Sequence, residues 1–390
     1  MAVLIDNPIG SPLLRLINER RLLELIQQLR SVSRAGLTRA SGMTAPTVSK
    51  AVDSLLKRGL LEESDPIDQA LGRPGRLVRL ASESATVLGV VIDLGNCCVV
   101  ASGLDGNVTE ANTERFETPD TYASLLDNLE AHCRRLMAAA TGTIRGACVS
   151  VPGVVNERLQ EIVFSPNLHL LNSRNPARDL EKRLGIHCVL LHETSTLCLS
   201  ERMYGNAKGL RDFAMLDVST GFGLGVMSGG HLLSGHSGMA GELGHLTADP
   251  NGIRCGCGNR GCFETLATDS ALVRLVAEQL GRPTTLQEVA DLIRNRSSQC
   301  EAAVNVVSEY LAIGIAAVIN LYNPTSLFVH GKLLVDSEDR FAMVLERVRQ
   351  RTLTPSLADC TIVPNTSSKR QGAIAGIIHH LVNTWAPSVR

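Results

Sequence analysis

The sequence predicts an α/β protein in which a small head of three helices and a hairpin precedes two α/β domains. Three observations predict it. Between Arg20 and Leu56, apolar residues recur at helical spacing around a glycine turn. A strand-and-hairpin pattern opens at Val87 and returns after about residue 212, each time leading into further helices and strands. With 390 residues and 44% hydrophobic content, the chain can fill two or three sizeable cores.

In the head, Leu22, Leu25, Ile26 and Leu29 mark a first helix over Arg20–Arg30. Ser33 is placed to cap a short second helix with Leu37 and Ala40 inward. Gly42 ends it, Thr44 caps a third, and Pro46 is tolerated in the first turn. Val48, Val52, Leu55 and Leu56 form the buried stripe of that helix, with Thr47, Ser49, Lys50 and Asp53 facing out. Leu60–Glu63 and Leu77–Leu80 then flank a turn containing Gly72-Arg73-Pro74-Gly75-Arg76. This is the layout of a helix-turn-helix with an arginine-bearing wing. In such a fold the start of the third helix enters the major groove, so Thr44, Ala45, Pro46, Ser49 and Lys50 are expected DNA contacts. Arg73 and Arg76, with Arg79 behind them, would reach phosphates or a minor groove. Charge agrees weakly: residues 1–80 carry 12 Lys+Arg against 8 Asp+Glu, and the remainder 26 against 31. The competing reading is a helical protein-interaction module with a solvated hairpin.

The body begins with the apolar run Val87–Gly95, followed by two strands joined at Asp105-Gly106. A helix over about 122–140 leads to a strand ending at Pro152-Gly153. Beyond residue 212 come strand, glycine turn and strand, then a long amphipathic helix over Ala302–Leu321 stopped by Asn323-Pro324. A buried strand around residue 328, a helix over Val344–Arg351 and a last apolar helix over Gly372–Val382 complete the reading. Eleven scattered cysteines do not form a disulfide framework, the N-terminus has no basic secretion-signal region, and no apolar run is long enough to span a bilayer. The expectation is a cytoplasmic protein with no membrane insertion.

The stretch from Gly238 to Glu264 carries the densest chemistry. Cys255, Cys257 and Cys262 fall close together, with His245 upstream, and glycines between them permit tight turns. Three thiols and an imidazole suit a closed, structural zinc site; the alternative is a glycine-rich loop with free thiols. Glu242 and Glu264 flank the set and would be fixed acceptors for sugar hydroxyls.

AGELGH followed by CxCGxxGCxE resembles the zinc signature of the ROK family, which comprises repressors, uncharacterised reading frames and sugar kinases. The resemblance implies a two-lobed actin/hexokinase-type, ribonuclease-H-like body behind a winged helix-turn-helix. It implies Zn2+ on His245, Cys255, Cys257 and Cys262, and a monosaccharide or sugar phosphate on Gly153, Asn167, Glu193, Glu242, His245 and Glu264. Residues 1–80 would be the DNA-binding domain, 86–193 with about 372–390 the first lobe, and 194–371 the second lobe with the zinc loop and an oligomerisation surface. The family's kinases hold ATP on three glycine-rich segments. Here the first reads Asp93-Leu94-Gly95-Asn96-Cys97, the second Thr220–Gly225 keeps its glycines, and the third ends at Lys332. An Asn-Asp pair in those kinases supplies the base; His192-Glu193 stands in its place. The changes at Asn96, Cys97, Glu193 and Lys332 predict no enzymatic turnover. The expected function is a sugar-responsive repressor that binds operator DNA as a homodimer or homotetramer. Alternatives are an ATP-dependent sugar kinase with an added head, or a regulator sequestered by a transporter subunit.

Overall fold

A computed structural model of the chain describes residues 11–64 and 76–384. The head consists of α1 (Ser11–Leu29), β1 (Ser31–Ser33), α2 (Arg34–Ser41), α3 (Ala45–Lys57), β2 (Leu61–Ser64) and β3 (Leu77–Leu80). Ser33 Oγ accepts the Gly36 amide at 3.1 Å, and Gly42 closes α2 at φ 69°. Thr44 occupies the N-cap of α3, but its hydroxyl meets Thr47 Oγ1 rather than an amide. Leu22, Ile26, Leu37, Val48, Val52 and Leu55 are buried together, whereas Leu56 is only half-buried. The hairpin gains a third strand, β1, on the free edge of β3. The first helix also starts well before Arg20. Glu19 hides that start: it is buried, pairs with Arg15 at 2.9 Å and Arg58 at 3.0 Å, and puts a charge where the apolar spacing needs a hydrophobe.

The first lobe holds β4 (Ala85–Val91), β5 (Asn96–Ser102), β6 (Thr113–Glu117), α4 (Tyr122–Ala139), β7 (Thr143–Val151), β8 (Val154–Asn156), β9 (Glu161–Phe164), α5 (Pro176–Leu184) and β10 (Cys188–His192). α6 (Glu193–Met203) leads to the second lobe. There follow β11 (Phe213–Asp217), β12 (Gly223–Ser228), β13 (His231–Leu232), α7 (Asp269–Leu280), α8 (Leu286–Arg294), α9 (Glu301–Tyr322), β14 (Ser326–His330), α10 (Glu338–Arg349), α11 (Thr354–Ala358) and β15 (Thr361–Pro364). α12 (Lys369–Thr384) returns to pack on β4 and β7 of the first lobe and on the connecting α6.

The two lobes share one topology. Each sheet begins as an antiparallel meander of three strands, β4-β5-β6 and β11-β12-β13. Two parallel strands then add to the other side of the first strand: β7 and β10 beside β4, β14 and β15 beside β11. This duplicated sheet is the two-lobed α/β body expected from the sequence. β4 is buried along its whole length, as a strand covered on both faces must be. α9 is long and apolar enough to cross a membrane, but most of it is core of the second lobe.

The head is seated on the body. One continuous apolar cluster runs from Leu22 and Leu55 through Ala81 and Ala85 to Ile374 and Ile378 of α12. The Glu62 carboxylate accepts the amides of Glu83 and Ser84 at 2.9 and 2.7 Å; these bonds outweigh burial and hold its pKa down at about 2. Arg145 on β7 donates to the Arg58 carbonyl at the end of α3 at 2.7 Å.

Candidate ligand cleft and metal centre

Strand ends place the cleft. β4, β7 and β10 of the first lobe and β11 of the second deliver Asp93, Gly153, Glu193 and Asp217 towards one seam, and the loop after β13 closes it. Gly153, Asn167, Glu193, Glu242, His245 and Glu264 all line the same cavity, whose free volume is about 50 Å3. Small-molecule sites usually enclose roughly 300–1,000 Å3, so little of this cleft is free as it stands. Asn167 donates to Glu264 Oε1 at 3.1 Å, which ties the two side chains together on the cleft wall. Burial, aided by Glu264, raises the pKa of Glu242. Gly153, at φ 96°, has a second reason to be glycine: a Cβ would stand 2.7 Å from the Phe164 carbonyl oxygen.

Glu193 is not a free cleft carboxylate. Its Oε2 lies 2.7 Å from the ammonium of Lys369, the first residue of α12. The same ammonium is 3.0 Å from Asp93 and 3.5 Å from Asp217. One cation thus holds three carboxylates drawn from both lobes. Burial would lower the pKa of Lys369, but Glu193, Asp217 and Asp93 keep it well above its ordinary value. Burial pushes Glu193 up to about 7 even beside that cation, and Asp217 is held below its ordinary value by Lys369 and His330 despite its burial. Lys369 was missed in the sequence. Its one signal is a cation in the first turn of a helix, where the dipole disfavours it.

Asp93, Leu94 and the run from Thr220 to Gly223 also line the cleft, while other residues of the glycine-rich segments pack elsewhere. Cys97 is buried in the first-lobe core, 3.4 Å from Thr118 Oγ1, and does not face the cleft, whereas Asn96 is exposed. Gly223 and Gly225 let α6 lie against β12: a Cβ at Gly225 would sit 2.6 Å from Cys198 Sγ, and one at Gly223 2.5 Å from Thr194 Cγ2. The amides of Lys332 and Leu333 donate to the carboxylate of Asp269, at 2.7 and 3.0 Å.

Beside the cleft, the ligand atoms of His245, Cys255, Cys257 and Cys262 lie within 4.8 Å of one another, a set that could hold a metal ion. His245 Nδ1 is 3.7 Å from Cys255 Sγ, and Cys257 Sγ is 3.8 Å from Cys262 Sγ. A tetrahedral ion with bonds of about 2.3 Å to sulfur spaces its ligands roughly 3.8 Å apart, so the donor set fits. The imidazole's other nitrogen, Nε2, is 3.9 Å from Glu242 in the cleft.

On the head, Thr44, Ala45, Pro46 and Lys50 are exposed at the start of α3. Ser49 is half-buried and accepts from Arg34 at 3.0 Å, while Arg34 also pairs with Asp53 and Glu63. Arg76 pairs with Glu63 at 3.1 Å, and Arg79 lies between Glu62 and Glu83. Arg73 lies outside the described residues.

Comparison with known proteins accords with this geometry. The xylose repressor of Bacillus spizizenii is 25% identical over 364 residues, covering 92% of this chain and 93% of its own length. The crystal structure of a ROK family transcriptional regulator, described as a homolog of the Escherichia coli Mlc protein, superimposes with a TM-score of 0.78 at 23% identity, over 95% of this chain and 97% of that one. A ROK family glucokinase from Streptomyces griseus, in complex with glucose and AMPPNP, gives 0.64 at 20% identity and covers 74% of this chain and 97% of its own. Residues 89–381 match the ROK family as a whole, and the chain belongs to it.

Proposed function

We propose that this chain is a sugar-responsive transcriptional repressor: a DNA-binding head governed by a cleft that recognises a monosaccharide and does not phosphorylate it. Residues 1–80 are then a winged helix-turn-helix, with α3 as the helix that enters the major groove. A relative that covers 92% of the chain is named a xylose repressor, whereas the glucokinase accounts for only 74%.

The ammonium of Lys369 carries the non-enzymatic half of the reading. Phosphoryl transfer needs a carboxylate free to take the sugar's proton and a phosphate site open to nucleotide and its metal. Here Glu193, the carboxylate in the base position, is 2.7 Å from a lysine, and Asp93 of the first phosphate segment is 3.0 Å from the same nitrogen. Incubation with Mg-ATP and a set of hexoses is expected to release no ADP above the no-sugar control; steady turnover would refute the reading.

α12 supplies the coupling. Its first residue holds the cleft, and its far end packs against α1 beneath the head. A sugar entering the cleft parts the lobes and stretches the Lys369–Asp217 contact. The helix carries that displacement to the head, so paired half-sites on a homodimer or homotetramer no longer fit. Zinc on His245, Cys255, Cys257 and Cys262 fixes the loop bearing Glu242 and Glu264. It supplies folding energy and no chemistry. A cytoplasmic location follows from this role.

A further inference from the structure

α1, α12 and the second lobe enclose a separate cavity of about 670 Å3, within the usual range of small-molecule sites. Its wall is cationic. The charge comes from Arg20 of α1, Arg202 at the end of α6 and Arg211 in the segment before β11; His379 of α12 lines the same wall without adding charge. The wall carries one carboxylate, Glu24, and Arg20 already pairs with it at 3.0 Å. Arg202 and Arg211 have no carboxylate partner among the described residues: Arg202 donates to the Gly230 carbonyl at 2.8 Å and Arg211 to the Gly229 carbonyl at 2.9 Å. Each guanidinium has five N–H groups, so most of both forks is left for a guest. Gln27 Nε2, from the same wall, is shielded from solvent and has no hydrogen-bond partner. His379 stays neutral, because burial and the arginines push its pKa down to about 3.

Two guanidinium groups without a paired carboxylate, beside a waiting amide donor, are chemistry for several anionic oxygens, not for a neutral sugar. We propose that this cavity binds a small phosphate monoester of hexose phosphate size through Arg202 and Arg211. The site is independent of the interlobe cleft, where no arginine lines the wall. Because its walls belong to the head's first helix, the C-terminal helix and the second lobe, occupancy favours one placement of the head over another.

The test is calorimetric titration of the full chain with glucose 6-phosphate and with inorganic phosphate, at ionic strength held constant with sodium chloride. The expected result is saturable binding of at least one probe, weakened roughly ten- to a hundredfold by Arg202→Gln or Arg211→Gln and unchanged by Glu242→Gln in the cleft. Arg211 is exposed, so its variant leaves the fold intact even if Arg202→Gln does not. Three results would overturn the proposal: no saturable binding of either probe, binding that survives both arginine variants, or binding abolished by Glu242→Gln. A fourth would reassign the wall to the DNA interface and equally end the proposal: a fall of about one unit in the salt slope of operator binding on Arg211→Gln.

Discussion

Lys369 stands at the positive end of a helix dipole and far from bulk water, two places where an ammonium is costly. Its three carboxylates make the position tenable, so removing the cation leaves buried negative charge uncompensated. Lys369→Met should destabilise the chain by about 3–5 kcal/mol in urea unfolding, and adding Glu193→Gln should recover part of the loss. The sign of the pH dependence follows from Glu193. Its pKa rises from 4.5 to about 7 on folding, so the native state holds a proton that the unfolded chain has released. This group's contribution to stability is therefore fully present below about pH 4.5 and is lost as pH approaches and passes about 7; Glu193→Gln should flatten that slope. No local pattern reveals the cluster, because Lys369 is 176 residues from Glu193 and 276 from Asp93. The His245, Cys255, Cys257 and Cys262 cluster was legible for the opposite reason: a single short stretch of sequence contains all four. Purified protein should contain one equivalent of zinc, and Cys257→Ser should remove it and lower the melting temperature; metal-free protein of unchanged stability would contradict the assignment.

At the level of elements, the glycines of the second phosphate segment are the instructive case. They resemble a nucleotide loop in the sequence, yet Gly223 and Gly225 are where α6 presses on β12. Gly225→Ala forces a Cβ against Cys198 Sγ and the Thr194 carbonyl and should cost about 1–3 kcal/mol, seen as a lower denaturation midpoint. The same packing holds α6 to α12: a Cβ on Gly372 would lie 3.0 Å from Thr196 Oγ1. Helix positions were legible where apolar spacing was unbroken, as at Val48, Val52 and Leu55. They were misread where a buried ion pair replaces a hydrophobe. Glu19 hid the start of α1, and the helix expected over Val344–Arg351 begins earlier, at Glu338, with Phe341, Val344 and Val348 buried and Arg340 paired to Glu301.

At the scale of the molecule, the duplicated sheet was only faintly visible in the sequence, because topology constrains which positions are apolar and leaves their identities free. The head was clearer, since caps and a glycine turn are local signals. Its exposed α3 face gives a separate prediction: Lys50→Ala should weaken operator binding and lower its salt slope by about one, while an unchanged slope would place that lysine off the DNA. The most direct test of the whole account is the affinity of the full chain for an operator it has itself selected from random duplexes, measured by fluorescence anisotropy across a panel of neutral monosaccharides. At least one sugar should weaken binding by about tenfold or more, and Glu264→Gln should remove the response while leaving sugar-free affinity intact. Operator affinity that no sugar moves, or a response that survives loss of the Glu264 carboxylate, would contradict it.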